Sequence, residues 1–314
     1  MSILCFARHL LKGYINIKMR STLTQTLNQE DIALLKKNFP LGICAIDVET
    51  TGLSPSQHEI IEFAGVKIDK TGAVSHLQLL IKPQDEILEH SSLIHGISNG
   101  MVQEAPLFVD CAHHILGFIA DTTLLAHNAI YDIGFLIKEL SKIGKPIPEN
   151  QVVDSILISR TLFKNKKIKP DNFKLSTLSS YFDFSFTHHH ALDDAFISLA
   201  IYSKCLAIED EKIIPSKRIQ LSTLGKMSEL KLDIPLGKKK VVDLIKKSIA
   251  SQEKVEIIYN GGKHKKKWRG IKPIAILPTT MGANLYAQCL IESSPKYFNI
   301  AKITEIKLGN EHEK

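Results

Sequence analysis

Between residues 41 and 207, short apolar runs of strand character alternate with longer segments of helical spacing. That alternation constrains the fold more than anything else in the chain. Residues 42–47 read as a buried strand that ends at the turn Thr50-Thr51-Gly52. Residues 59–69 and 76–82 read as two more strands, and Lys70-Thr71-Gly72 between them is a turn, so the pattern predicts a hairpin. Residues 106–120 carry apolar groups at helical spacing. A strand at 123–126, a helix at 130–143, a strand at 152–154 and helices near 155–163, 175–182 and 191–207 complete the series. Strands interleaved with helices predict an α/β domain built on a mixed sheet flanked by helices.

The chain has 314 residues, enough for about two domains. Its second part differs in kind. Residues 208–240 are polar, basic and broken by Pro and Gly, and read as a linker. Beyond it, a helix at 241–250 is followed by strands at 255–259, 271–277, 284–291 and 301–308, a small β-rich domain over 241–314. Charge follows the same division: residues 217–314 hold 20 Lys/Arg against 9 Asp/Glu, whereas 30–216 hold 16 against 24. An acidic part joined to a basic one suggests a carboxylate-rich site beside a polyanion-binding module.

Residues 1–40 form an N-terminal extension whose first 29 residues carry four basic groups and no acid. It reads as a poorly specified segment, with a transit peptide, an amphipathic helix or a start at Met19 as alternatives. No apolar run is long enough to span a membrane. The five cysteines stand in no metal or redox spacing, which suits ordinary thiols in a reducing compartment, and a cytoplasmic location is expected.

The chemistry begins at the end of the first strand. Asp47 and Glu49 flank Val48, and side chains two apart on a strand share a face. Two carboxylates at the edge of an apolar sheet are costly unless a positive charge lies between them, and a divalent cation is the natural partner for oxygen ligands. The segment 124–132 runs from a strand into a helix and delivers Asp132. Then His188-His189-His190-Ala191-Leu192-Asp193-Asp194 opens another helix and offers Asp194. Four acids converging at one sheet edge would hold two metals, which suits in-line displacement at phosphorus. A histidine beside them would take a proton from the attacking water.

The strings Ala45-Ile-Asp-Val-Glu-Thr-Thr-Gly52, His127-Asn-Ala-Ile-Tyr-Asp132 and His189-His-Ala-Leu-Asp-Asp194 resemble the three motifs of the DEDDh exonucleases. This is the DnaQ-like family that includes the proofreading epsilon subunit of bacterial replicases. Ile60-Ile-Glu62, His95-Gly-Ile-Ser98, Asp154-Ser155 and Leu175-Ser-Thr-Leu178 stand where that family places similar residues. The resemblance covers about 41–207 and implies a ribonuclease H-like fold. It implies that Asp47, Glu49, Asp132 and Asp194 bind two divalent cations, Mg²⁺ or Mn²⁺, and that His189 is the general base. His188 and His190 do not fit the family spacing, and Asp193 is one place early; all three read as neighbours on a solvent-facing turn. Thr50, Thr51, Gly52 and Leu53 match the segment that holds the terminal nucleotide through backbone amides and apolar contact. His95 matches a residue near the terminal bases, and Asn128 sits beside the third acid.

Residues 241–314 resemble a WYL domain in the order of their segments, with the namesake tripeptide reduced to Ala283-Asn284-Leu285. Lys263, Lys265, Lys266, Lys267 and Arg269 surround Trp268, the chain's single tryptophan, and form a candidate patch for phosphates and one stacked base. Gln220-Leu-Ser-Thr-Leu224 is a weak match to sliding-clamp docking motifs. The resemblances together imply a metal-dependent 3′–5′ exonuclease acting on nucleic-acid 3′ ends, DNA more than RNA, with a polymerase or clamp as possible partner. RNA 3′-end trimming and an inert nucleic-acid-binding regulator are the rival expectations.

Overall fold

The computed structural model describes residues 27–164, 169–184, 190–208, 213–262 and 265–309. The first sheet holds β1 (Gly42–Thr50), β2 (Ile60–Asp69), β3 (Val74–Leu80), β4 (Thr123–Ala126), β5 (Gln151–Asp154) and β6 (Thr223–Lys226). Its order is β3-β2-β1-β4-β5-β6. β1, β2 and β3 pair antiparallel, β4 and β5 add parallel to β1, and β6 closes antiparallel to β5. The helices are α1 (Gln29–Asn38), α2 (Glu89–His95), α3 (Asn99–Val102), α4 (Phe108–Ile119), α5 (Ile130–Lys142), α6 (Ser155–Phe163), α7 (Leu175–Tyr181), α8 (Ala191–Ala207), α9 (Pro215–Ser222) and α10 (Lys239–Ser251).

β1 is central because residues 42–46 are buried on both faces, as an unbroken apolar run requires. Alternate side chains serve different cores. Ile43 and Ala45 join a cluster with α8, whereas Cys44 and Ile46 join one with α4 and α5. The mixed α/β sheet is therefore the one that the alternating pattern predicts. No helix among the described residues is long and apolar enough to cross a membrane. Cys44, Cys111, Cys205 and Cys289 are free and buried.

The second sheet holds β7 (Val255–Tyr259), β8 (Trp268–Leu277), β9 (Asn284–Cys289), β10 (Ser294–Asn299) and β11 (Ile303–Leu308) in the order β10-β9-β8-β7-β11. All its pairings are antiparallel, and α10 packs Val241, Val242 and Ile245 onto it. The sequence pattern predicts four strands here. The extra one, β10, interrupts its apolar pattern with Pro295 and Lys296 and is an edge strand, where proline is tolerated.

Two boundaries differ from expectation. Within the extension 1–40, α1 begins at a reciprocal cap between Asn28 and Asp31 and buries Leu35 in the first core. Within the stretch read as a linker, α9 packs beside α6, and β6 is a strand of the first sheet. Arg218 explains this. It is 1% exposed and donates to the carbonyls of Cys205, Leu206 and Ile208 at the end of α8, and to Ile213 O. A helix C-terminus leaves carbonyls unpaired and carries partial negative charge, and the guanidinium answers both. Arg218→Met should therefore cost on the order of 3 kcal/mol or more, because several buried acceptors lose their donor. A cut at Pro215 should destabilise the first domain for the same reason. Thermal unfolding checks this, and an unchanged midpoint in Arg218→Met would refute it.

The domains meet beside the acid-bearing elements. Ile276 N donates to Ser54 Oγ at 3.2 Å and Gln57 Nε2 donates to Lys246 O at 2.9 Å. A Cβ on Gly134 of α5 would lie 2.9 Å from Pro278 and 3.1 Å from Pro55, so only glycine lets the second domain approach this closely.

Candidate active site

Asp47 and Glu49 project from one face of β1, and Asp194 enters from the first turn of α8. One carboxylate oxygen from each lies within 4.8 Å of the others. Asp132 stands in the first turn of α5, 6% exposed, and its Oδ1 accepts from Val48 N at 3.1 Å. That bond ties the third acid to the strand between the first two. The helix N-termini under Asp132 and Asp194 favour negative charge, but they do not offset the crowding. Across the β1–β2 pair Glu49 stands opposite Glu62, and like charges directly opposite each other are destabilising.

The electrostatics follow. Burial, then the charges of Asp132, Asp194 and Glu49, push the Asp47 carboxyl well above its ordinary range. Burial and then Glu62 push Glu49 up to about 8. Burial likewise lifts Asp132 to about 8, against the opposing bond from Val48. Burial also raises Glu62, although Gln78 Nε2 donates to its Oε1 at 2.8 Å. These carboxylates are destabilised by desolvation and by one another, and a divalent cation relieves both. The donor set fits such an ion.

A pH dependence follows. Glu49 and Asp132 hold protons more tightly folded than unfolded. The metal-free protein should thus be most stable below their ordinary values of 4.5 and 3.8 and should lose stability as pH rises through about 8. Mg²⁺ or Mn²⁺ should reverse that slope, since the ion binds the deprotonated forms. Melting curves across this range with EDTA or metal check it. A metal-free Asp132→Asn protein with the wild-type slope would contradict it.

The turn into α5 is clamped from below. Asn128 adopts φ +68°, Asp154 Oδ2 accepts from Ala129 N at 2.9 Å, and Asp154 Oδ1 caps α6 through Ile156 N and Leu157 N. His127 bonds Ser155 Oγ at 2.7 Å and Phe173 O at 3.0 Å, and burial pushes it down to about 4.

Residues 185–189, with His188 and His189, lie outside the described residues. His190 is exposed and precedes α8, as a turn neighbour would. Asp193 departs from the solvent-facing reading, being 9% exposed in the first turn of α8.

The other motif-matched residues divide. Leu53 is 61% exposed. Thr50 Oγ donates to Gly52 O, and a Cβ on Gly52 would lie 2.5 Å from the His58 ring. Thr51 departs from the expected role: it is buried, its N–H donates to Glu59 O, its hydroxyl accepts from Glu59 N, and its carbonyl accepts from Ser91 Oγ. Its amide is thus committed to the protein. His95 is buried, and its Nδ1 accepts from Ile97 N at 3.0 Å, fixing the turn after α2.

The C-terminal patch is smaller than its sequence implies. Lys263 lies outside the described residues, and Lys265, Lys266 and Lys267 are exposed. Arg269 is corrected: it is 5% exposed, with its guanidinium 5.5 Å from the Phe298 ring centre, so it packs inward. Trp268 is 40% exposed, and Lys307 Nζ sits 4.4 Å over its ring. The clamp-like segment is folded into α9 and β6, with Ser222 buried. Sequence reasoning missed Ser54 and Tyr131, which meet Ile276 and Tyr286 of the second domain from far away in the chain.

The RNase_T exonuclease family model matches residues 44–202. The chain is 37% identical over 161 residues to a PolC-type DNA polymerase III of Caldanaerobacter subterraneus, covering 51% of this chain and 11% of that protein. It is 32% identical over 167 residues to the DNA polymerase III subunit epsilon of Rickettsia typhi, covering 50% of this chain and 70% of the relative. E. coli Exonuclease I, solved with a dA16 oligonucleotide, shares the fold at a TM-score of 0.50 and 15% identity, over 79% of this chain and 55% of the other. The family match runs from the strand that bears Asp47 to the helix that bears Asp194 and takes in half of the chain, and the protein belongs to this exonuclease family.

Proposed function

We propose that the chain is a metal-dependent 3′–5′ exonuclease that releases 5′-mononucleotides, with DNA 3′ ends as its main substrate. The observation that carries the reading is the meeting of Asp47, Glu49 and Asp194 within 4.8 Å, with Asp132 bonded to the same strand. Asp47, Glu49, Asp132 and Asp194 would hold two Mg²⁺ or Mn²⁺ ions, which when bound stabilise charge on the attacking and departing oxygens. His189 takes the proton of the attacking water as general base. The Gly52–Leu53 backbone and the exposed Leu53 side chain meet the terminal nucleotide, and Asn128 stands in the turn before α5.

The relatives named as DNA polymerase III support DNA over RNA, and association with a polymerase is part of the proposal. The C-terminal domain, WYL-like in its segment order, serves affinity rather than chemistry. Matched DNA and RNA strands, assayed for mononucleotide release with Mg²⁺ and with Mn²⁺, test the substrate assignment. Faster release from DNA is expected, and faster release from RNA would overturn it.

A further inference from the structure

A cleft of about 990 Å³ opens between the two domains. That is the upper end of the range for small-molecule pockets, about 300–1,000 Å³, so it exceeds what one nucleotide needs. One wall carries Asn128, four positions before Asp132, and Arg160; the other carries Asn284, Tyr286 and Tyr297. Tyr131, next to Asp132, meets Tyr286 edge to face at 6.0 Å. Tyr286 lies 4.8 Å from Tyr297, which is 49% exposed. An aromatic row thus leads from the acid-bearing helix out along the second sheet.

The cleft's charges are also arranged for a polyanion. Arg160 and Lys174 are exposed at its rim, and Arg160 lies 5.7 Å from the Phe173 ring centre. The cleft's acid, Asp154, is taken up by three backbone N–H groups. Asn284 Oδ1 is buried without a hydrogen-bond partner among the described residues, so an acceptor on this wall is left for a ligand to satisfy.

We propose that this interdomain cleft is the track for an unpaired nucleic-acid strand whose 3′ end lies at the acid cluster. Bases stack on Tyr286 and Tyr297, phosphates meet Arg160 and Lys174, and the Asn284 amide accepts from a base N–H. Rings of this kind stack any unpaired base, whereas duplex bases are already stacked on one another, so the occupant is single-stranded. The basic loop at Lys265–Lys267 is the weaker route, because Lys307 covers one face of Trp268 and Arg269 points inward. The inference rests on the exonuclease reading for the direction of the strand but not for its binding.

The test uses the full chain carrying Asp47→Asn, so that the probe is not consumed, and fluorescein-labelled single-stranded oligo-dT of about 12 nucleotides with Mg²⁺, read by anisotropy. Arg160→Glu and Tyr297→Ala should each raise the Kd about fivefold to hundredfold, and Tyr297→Phe should keep the parent Kd. A parent Kd within about twofold in both Arg160→Glu and Tyr297→Ala would overturn the track. So would a matching loss with blunt duplex of the same length. Arg160 is exposed, so its variant reports even if Tyr297→Ala loosens the domain. Nucleotide release by the wild-type chain is measured separately: its absence refutes the exonuclease reading alone, because the binding series still decides the cleft.

Discussion

Replacing Asp47 or Asp132 by Ala should reduce nucleotide release by a factor on the order of 10³ or more, while the protein stays folded. Each acid belongs to a set whose value lies in holding charge where the phosphodiester breaks. Metal-assisted displacement is worth several kcal/mol of transition-state stabilisation, and each 1.36 kcal/mol is about a tenfold rate. Stability should move the other way. Asp47 is raised by burial and by Asp132, Asp194, Glu49 and Glu62, so removing Asp47 from the metal-free protein relieves repulsion and should raise its melting temperature. Asp132→Ala also strands the Val48 N–H and should gain less. Loss of release with a lower melting temperature in EDTA would point to unfolding instead. Undiminished release in either variant would remove these acids from the site.

His189→Ala should lower release at neutral pH by a factor of about 10²–10⁴, the usual worth of a positioned base. His188→Ala and His190→Ala should change it little. The comparison tests register, because three consecutive histidines precede α8 and only one has the family spacing to Asp194. His190 is exposed and its carbonyl accepts from Asp194 N at 3.0 Å, so its backbone already has a role at the helix start. A dominant effect of His190→Ala would shift the motif by one residue. The His189→Ala deficit should also shrink as pH rises and hydroxide becomes available, which a purely structural defect would not do.

The acid-bearing elements were legible in sequence because each is local. An apolar run ending in Asp47-Val-Glu49, and two helices opening on Asp132 and Asp194, announce themselves by period and spacing. What stayed hidden depends on contacts between distant segments. α9 and β6 read as a linker because Pro215, Lys217 and Arg218 look like solvent-loving residues. The carbonyls at the end of α8, ten or more positions earlier, help make Arg218 a core group. Arg269 looked like part of a basic patch because its neighbours are lysines, whereas β-strand alternation turns it under the sheet onto Phe298. Thr51 matched a substrate motif, yet its amide pairs with Glu59 across a bend. The interdomain cleft had no linear signature at all, since Tyr131 and Tyr286 are more than 150 positions apart in the chain.

The most direct test follows single-stranded DNA labelled at its 5′ end through time with the wild-type chain, in Mg²⁺, in Mn²⁺ and in EDTA. The account predicts a ladder that shortens from the 3′ end one nucleotide at a time, releasing 5′-mononucleotides, with either metal and not in EDTA. Internal cleavage, shortening in EDTA, or tight binding of intact DNA without any product would contradict it.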